Sequence, residues 1–298
     1  MERSFTLTVL NIPDVGRGVG LALVLQTPNG RTWLYDTGNG YPEGDGWLLD
    51  SNSGRDQIAP FLRERSIEAL DGIIISHAHY DHFGGLSWLV GSMPTGTLVD
   101  TGYTFEGDRD DHYNTELADY ERLREIYRSR GAYQSALAGD KLDLDPDLEV
   151  EIIAPPAGFF QPDPDITRAG WNPAAHYMLN SNSLMLRIRY GETVFLLPGD
   201  IEMEDQKRYL LRSVPPEKLR CNVLIAPGHG LHTHPDFVQA TLPQVTVVSL
   251  FERWLSSCSA CDGFGAVGSE VYVTGRDGNV RVTSDGGGFN VTTSQLLT

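Results

Sequence analysis

The sequence has few cysteines and lacks a long apolar run. Three cysteines among 298 residues do not make a disulfide framework, and a reducing cytoplasm is then the default location. No apolar stretch approaches the roughly 20 residues that cross a bilayer. The N-terminus also lacks the basic, apolar and small-residue regions of a signal peptide. We therefore predict a cytoplasmic protein without a membrane segment.

Positive charge is also scarce in this chain. Lys and Arg number 23 against 40 Asp and Glu, which gives a formal net charge of −17. Such a balance repels polyanions at long range, so we expect no extended nucleic-acid surface. A local cationic site could still take one phosphate group.

Three familiar chemical motifs are missing or incomplete. The sequence has neither a GxSxG motif nor a P-loop, so no serine nucleophile or phosphate-binding loop is predicted. Cys258 and Cys261 form an isolated CxxC that could bind a metal or cycle between redox states. No second pair or nearby histidine completes a tetrahedral site, so a plain loop pair is expected.

What the chain does contain is strand and helix patterns in interleaved order. Three hairpins are predicted, with turns at Asn29-Gly30, near Gly191 and at Asp277-Gly278. The continuous apolar run over 70–76 is typical of a strand covered on both faces. Because no repeat or linker interrupts the chain, we predict one domain over residues 1–298. Sheet packed on sheet with helices outside is the economical arrangement, an α+β protein with an αββα four-layer sandwich.

A cluster of metal-binding side chains follows the apolar run. The stretch IIISHAHYDHFGG (73–85) places three histidines and an aspartate within six positions. In an extended chain His77 and His79 project the same way, so they can bind one cation together. Asp81 and His82 follow where the chain turns and can face a second cation. Imidazole and carboxylate suit zinc or a similar metal. A surface loop with chance histidines is the weaker interpretation.

The arrangement HxHxDH at the end of an apolar strand resembles the metallo-β-lactamase superfamily. Three further stretches are similar to motifs of that family and occur in the same order: LYDTG (34–38), FLLPGD (195–200) and APGHG (226–230). The resemblance implies the metallo-β-lactamase fold. It also implies a supporting or structural role for Asp36, a metal-bridging role for Asp200 and ligation of the second metal by His229.

The physical chemistry of Asp200 agrees with this role. A lone carboxylate at the end of the buried strand pattern TVFLLPGD is costly to bury. A carboxylate between two divalent cations offsets their repulsion, at a separation of roughly 3.5–4 Å. Two alternatives stay open: Asp200 could cap the helix that follows, and His229 could be a turn residue beside glycines.

Much of the chain is similar to one branch of the family, the soluble hydrolase domain of bacterial competence DNA-uptake proteins. The stretches NSNSLMLRI and GETVFLLPGD carry this similarity. The beginning and the end of the chain are also similar to that branch. The broader family places a third imidazole of the first metal upstream of the bridging aspartate, where this chain has Asn180. His176 could reach in from the preceding loop. Asp36, His176, Asn180 and His232 are therefore possible further ligands or supports of the ligands; His232 could also contact substrate or lie on the surface.

The predicted reaction follows from two adjacent cations. Zinc is the expected metal, with manganese or iron possible; such a pair lowers the pKa of a shared water and stabilises developing charge. We predict a dinuclear hydrolase that uses a metal-bridging hydroxide, with Asp81 and Asp200 taking part in catalysis. The competence branch implies a phosphodiester substrate, either a small one or a nucleic-acid end, because the acidic balance disfavours a long duplex. Alternatives are a lactone or β-lactam hydrolase and a non-catalytic module with an incomplete metal site.

One long segment lacks a clear period. Residues 157–180 are rich in proline and aromatic residues, which favours an ordered lid. Phe159 and Trp171 would then contact a small, partly apolar substrate, although a flap packed on the core is the alternative. The sequence makes no prediction of oligomeric state.

Overall fold

The computed structural model describes residues 3–14, 19–40, 51–104, 112–160 and 178–295. Two β-sheets form the centre of these segments. The first sheet contains β1 (Phe5–Val9), β2 (Ala22–Gln26), β3 (Thr32–Thr37), β4 (Leu70–Ile74), β5 (Thr95–Asp100), β6 (Tyr133–Ser135), β13 (Val280–Ser284) and β14 (Phe289–Thr293). The second contains β7 (Glu149–Ala154), β8 (Met185–Tyr190), β9 (Thr193–Leu197), β10 (Val223–Ile225), β11 (Val245–Val248) and β12 (Glu270–Val273). Their spatial orders are β14-β13-β1-β2-β3-β4-β5-β6 and β12-β11-β10-β9-β8-β7.

Helices connect the strands. They are α1 (Ala59–Arg63), α2 (Tyr80–Phe83), α3 (Leu86–Ser92), α4 (His112–Ser129), α5 (Met178–Ser181), α6 (Met203–Asp205), α7 (Leu211–Ser213), α8 (Pro216–Leu219), α9 (Pro235–Thr241), α10 (Ser259–Ala266) and α11 (Thr274–Asp277). π-helical turns occur at Gly54–Ile58 and Gln206–Leu210, and 3-10 turns at Pro227–Gly230 and Glu252–Ser257.

Three apolar cores separate the layers. Between the two sheets, the buried rings of Phe5 and Phe195 meet edge to face with centroids 4.9 Å apart. On the outer face of the first sheet, Leu86 of α3 is fully buried among strand and helix residues. On the outer face of the second sheet, Phe237 of α9 has the same role. Burying each such side chain contributes about 1.5–3 kcal/mol. The layer order confirms the predicted αββα sandwich.

Parallel pairing brings the candidate site residues to neighbouring sheet edges. Strands β3, β4 and β5 are parallel in the first sheet, and β9, β10 and β11 are parallel in the second. The carboxyl ends of parallel strands lie at the same edge, so the loops that follow them converge. The buried Tyr35 hydroxyl donates 2.8 Å to Leu184 O and lies 3.3 Å from Leu197 O, which ties the two sheets together beside these loops.

Two of the three predicted hairpins are confirmed, and the third is wrong. β2 pairs with β3 and β8 with β9, both antiparallel. β12 instead pairs with β11 in the second sheet, while β13 pairs with β1 and β14 in the first. The intervening Asp277-Gly278 ends a helical turn, where Gly278 N donates to Thr274 O at 2.9 Å. Asp277-Gly278, a typical hairpin-turn sequence, therefore lies here in the connection between the second sheet and the first.

The single domain over 1–298 stays a prediction, which the core shared by both sheets supports. Among the described segments, none of the helices combines the length and apolar character that a bilayer crossing requires.

Candidate metal centre

Asp36 is the buried carboxylate on which the site is built. It lies at the end of β3 with a left-handed φ of 56°, a conformation in which aspartate is enriched over most residues. Its oxygens accept hydrogen bonds from Ser76 N and Ser76 Oγ, both at 2.7 Å, and from His82 Nδ1 at 2.8 Å. Burial raises the pKa of Asp36, and its contacts with His82 oppose this shift. One side chain thus joins β3, the end of β4 and α2.

These contacts orient two imidazole rings. Nδ1 of His82 donates to Asp36, and Nδ1 of His77 lies 2.9 Å from Ser76 Oγ, whose own proton is donated to Asp36. The neutral form of each ring therefore leaves Nε2 without a proton, a tautomer assigned from the hydrogen-bond partners. Metal-binding histidines commonly donate their other N–H to a carboxylate in this way.

Four side chains form a compact set of donor atoms, here named the donor cluster: Asp81, His82, Asp200 and His229. Nε2 of His82 lies 3.2 Å from Nε2 of His229 and 3.4 Å from Asp200 Oδ2, and the distance from His229 Nε2 to Asp200 Oδ2 is 3.3 Å. The carboxylate of Asp81 lies 4.0 Å from His82 Nε2 and 3.9 Å from His229 Nε2. Two ligands bound to tetrahedral zinc at its usual bond lengths lie about 3.3 Å apart. The cluster has nearly the spacing that one such cation needs.

One buried atom of the donor cluster supports this fit. Asp200 Oδ1 has no hydrogen-bond partner among the described residues. A buried polar atom without a partner costs about 1–3 kcal/mol. His77, His82 and Asp200 form a second candidate group, with donor atoms within 4.8 Å of one another. His82 and Asp200 are therefore members of both this group and the donor cluster.

The charged side chains of the donor cluster shift each other's pKa values. Burial by itself raises the pKa of Asp200, but His229 and His82 outweigh it and hold that pKa well below its ordinary value. Burial lowers the pKa of His82, but Asp200 and then Asp36 outweigh it, and the pKa is raised well above its ordinary value. Without a cation the cluster therefore retains a proton on His82, which a bound metal would displace.

The loop that carries His229 has an unusual backbone. Gly228, His229 and Gly230 have φ values of 54°, 53° and 79°; glycine tolerates this left-handed region and histidine is enriched there. Gly228 N donates to Gly199 O at 3.2 Å, so the loops after β9 and β10 are bonded to each other. The capping alternative for Asp200 does not hold, because Glu202 is the residue that flanks the start of α6.

Several supporting residues escaped sequence reasoning. Ser183 Oγ accepts from Asp200 N at 3.1 Å and lies 3.3 Å from His77 Nδ1. Thr37 Oγ1 donates to the carbonyl of His82 at 3.0 Å. Single hydroxyl residues have no spacing signal of their own, although Ser183 lies within the NSNSLMLRI stretch.

Helix α4 supports the metal motif from the outside. Glu116 Oε2 accepts from Tyr80 N at 2.9 Å, and the Tyr80 hydroxyl donates to Asp119 Oδ2 at 2.6 Å. Burial, followed by the charge of Asp81, raises the pKa of Glu116 well above its ordinary value. α4 thus fixes the chain between His79 and Asp81, and no sequence motif pointed to Glu116.

The remaining candidate residues have different surroundings. His79 Nδ1 lies 2.9 Å from His77 Nε2, but His79 belongs to neither donor group found in the described residues. Asn180 is buried and donates to Glu202 Oε1 at 3.0 Å. The ring of His232 packs near Gly228, and among the described contacts none joins that ring to the donor cluster. Ligation by His79 and Asn180 stays a prediction.

Only part of the predicted lid lies within the described residues. Phe159 is half-buried and packs edge to face on Tyr103, with ring centroids 5.1 Å apart. His176 and Trp171 lie outside the described residues. The substrate contacts predicted for Phe159 and Trp171 stay predictions.

The cysteine pair differs from expectation. Cys258 and Cys261 form a disulfide across the first turn of α10, so the plain loop pair was wrong. Residues three apart on a helix are neighbours, so the CxxC spacing suits a disulfide at this helix start. Disulfides are rare in reducing compartments, so this disulfide does not favour the cytoplasmic location, which stays a prediction.

A family model for the metallo-beta-lactamase superfamily matches residues 15–242. The chain belongs to the metallo-beta-lactamase superfamily. The match includes the HxHxDH motif, Asp200 and His229, and the site is that of a metal-dependent hydrolase of this superfamily.

Two curated proteins and one solved structure are similar to this chain. ComE operon protein 3 of Bacillus subtilis is 27% identical over 244 residues, which are 79% of this chain and 27% of that protein. The uncharacterized protein YcaI of Escherichia coli is 43% identical over 81 residues, 27% of this chain and 9% of that protein. The chain thus spans about a quarter or less of these relatives. A mutant of CmlA beta-hydroxylase shares the fold, with a TM-score of 0.53, 14% identity and coverage of 94% of this chain and 53% of that one.

Proposed function

We propose that this protein is a dinuclear metal-dependent hydrolase that cleaves phosphodiesters. The observation that carries the proposal is the donor cluster. The donor atoms of His82, Asp200 and His229 lie 3.2, 3.3 and 3.4 Å apart, close to the spacing of ligands around one tetrahedral cation, and Asp81 lies 3.9 and 4.0 Å from the two imidazoles. A mixed imidazole and carboxylate set favours zinc, with manganese or iron as alternatives.

The chain's own residues have separate tasks in this proposal. The donor cluster would hold one cation, and His77 with His79 and Asp200 would hold the other. Bound there, the two cations would supply Lewis-acid chemistry and activate water. Asp36 keeps Nε2 of His82 available by accepting the Nδ1 proton.

Asp81 is the member of the donor cluster closest to solvent. Its side chain is 22% exposed, against 0% for His82, 10% for Asp200 and 8% for His229. A substrate approaching from solvent would meet Asp81 first. Its carboxylate can therefore accept a proton or orient a polar group at the open side, while Asp200 is held inside by Ser183.

The substrate proposal rests on charge and on the family branch. A phosphodiester brings one negative charge to a site that would hold two divalent cations, an attractive pairing. The net charge of −17 disfavours a long duplex, so we propose a small phosphodiester or the end of a nucleic-acid strand. Similarity to ComE operon protein 3 supports the competence branch without fixing the substrate.

A substrate panel tests the proposal. Zinc- or manganese-loaded protein is given an aryl phosphodiester, single-stranded DNA, a homoserine lactone and a chromogenic β-lactam, and bound metal is measured per chain. We expect about two metal equivalents, turnover of the phosphodiester, and loss of turnover on chelation. His77→Ala and Asp200→Ala should each lower the rate by orders of magnitude. Turnover of the lactone or β-lactam alone would contradict the substrate, and one metal or none without any turnover would favour a binding module.

A further inference from the structure

The disulfide between Cys258 and Cys261 lies beside the loop that carries His229. Cys258 is 2% exposed, whereas Cys261 is half-buried and reaches the surface. Sγ of Cys258 accepts a hydrogen bond from Cys261 N at 3.1 Å, at the start of α10. Cys261 is thus the more exposed of the two residues, and Sγ of Cys258 has a backbone N–H beside it that can stabilise a leaving thiolate.

The same pair packs against the residue that follows His229. A Cβ added to Gly230 would lie 3.2 Å from Cys258 Sγ and 2.7 Å from Val248 Cγ1. Ser259 Oγ, between the two cysteines, donates to Gly230 O at 3.1 Å and accepts from Thr233 N at 3.3 Å. The left-handed loop around His229 is therefore held from the outside by the turn that the disulfide closes.

These contacts suit the cysteine pair to thiol–disulfide exchange. A dithiol reductant attacks Cys261 Sγ, because attack requires an accessible sulfur. The bond between the two cysteine sulfurs breaks, a mixed disulfide forms on Cys261, and Cys258 leaves as a thiolate next to Cys261 N–H. The second thiol of the reductant then displaces Cys261. The protein has gained two electrons and two protons, and the reductant leaves as a cyclic disulfide.

We propose that Cys258 and Cys261 form a reversible thiol–disulfide exchange site whose reduction loosens the His229 loop and weakens cation binding there. Reduction removes the covalent closure of the turn that contacts Gly230, so the loop loses part of its outer support. The effect on cation affinity rests on the proposed metal centre, while exchange and loosening do not.

The full-length chain, freed of metal, is equilibrated in buffers of reduced and oxidised dithiothreitol, quenched in acid and unfolded for thiol counting. The sequence has three cysteines and one disulfide, so we expect one thiol in the oxidised form and three in the reduced form. Cys221→Ala is the matched control, because it removes the remaining, buried cysteine and should shift both counts down by one. Resistance of the disulfide to dithiol until the protein unfolds would overturn the proposal.

Hydrogen exchange then follows the loop directly. After anaerobic removal of dithiothreitol, amides of residues 228–234 should exchange about tenfold faster in the reduced form, while those of β4 stay unchanged. Cys261→Ser should reproduce the reduced pattern under oxidising conditions. Identical exchange in both redox states would overturn the proposal. Zinc titration of both forms should show several-fold weaker binding on reduction; if neither form binds zinc, the proposed function fails while the exchange and loop measurements still decide this inference.

Discussion

Asp36→Asn tests how much of the metal site depends on one buried carboxylate. The amide has one oxygen where the carboxylate has two, and Asp36 uses them for Ser76 N, Ser76 Oγ and His82 Nδ1. If the NH2 group faces His82, Nδ1 must accept, and the ring proton moves to Nε2, where it blocks the cation. If the NH2 group faces Ser76 N, two hydrogen-bond donors point at each other and neither has an acceptor.

The expected loss of zinc affinity in Asp36→Asn depends on how many metal-binding side chains Asp36 orients. Changing one partner of a metal ligand typically lowers affinity 10–100-fold. Because Asp36 orients His82 directly and His77 through Ser76, we expect the upper end, about 100-fold or about 2.7 kcal/mol in zinc binding. Loss of a charge-assisted hydrogen bond should also lower the free energy of unfolding by about 1.5–3 kcal/mol.

Isothermal titration with zinc against a competing chelator measures the affinity, and urea unfolding measures the stability. Asp71→Asn is the matched control: Asp71 is exposed and accepts from Thr32 N at 2.7 Å, at the opposite end of β3. It should leave zinc affinity within about twofold, since it touches no ligand. A folded Asp36→Asn protein that binds zinc as tightly as the wild type would refute this account of ligand orientation.

Four further predictions concern the cluster and the sheets. His229→Ala removes one of four donors and should weaken zinc binding at least 100-fold, by roughly 2.7 kcal/mol; equal affinity in the same titration would argue against ligation. Because His82 has a raised pKa, zinc affinity should rise with pH, by up to about tenfold per unit, until pH passes that pKa, with one proton released per cation. Protonated His82 also stabilises the metal-free protein. This contribution to the free energy of unfolding is fully present below about pH 6.5, the ordinary pKa of histidine, and is lost as pH rises through the raised pKa of His82 in the folded protein. A urea midpoint that stays constant between these two pKa values would contradict this. Tyr35→Phe should cost about 1–2 kcal/mol in urea unfolding, since the hydroxyl bridges Leu184 O and Leu197 O.

The fold and the donor residues could be predicted because each has a strong local signature. HxHxDH at the end of an apolar strand places the candidate ligands where parallel strands end, and the glycines of APGHG allow the left-handed backbone of the His229 loop. Asp36 could be identified only through the order of motifs along the chain. Its actual partner, Ser76, is forty residues away, and no periodicity reports such a contact.

The errors came from features that local patterns do not contain. Asp277-Gly278 has the composition of a hairpin turn, yet the pairing of β13 is decided by its register with β1, from Phe5↔Ser284 to Val9↔Val280. The cysteine pair was predicted to be a plain loop pair because no second pair or histidine completes a metal site, although the same spacing closes one helical turn. Glu116 was missed because a single acidic residue on a helix is usually solvated, and only the packed structure turns it toward Tyr80.

The pairing of β1 with β13 has a consequence for biosynthesis. Phe5 and Ser284 are register partners, so at 5–20 residues per second the first strand leaves the ribosome roughly 15–55 s before the strand that covers its edge. During that interval β1 has an open backbone edge, which invites pairing with other nascent chains. A circular permutant that moves β13 and β14 ahead of β1 would close this edge early and should give a higher yield on expression without chaperones.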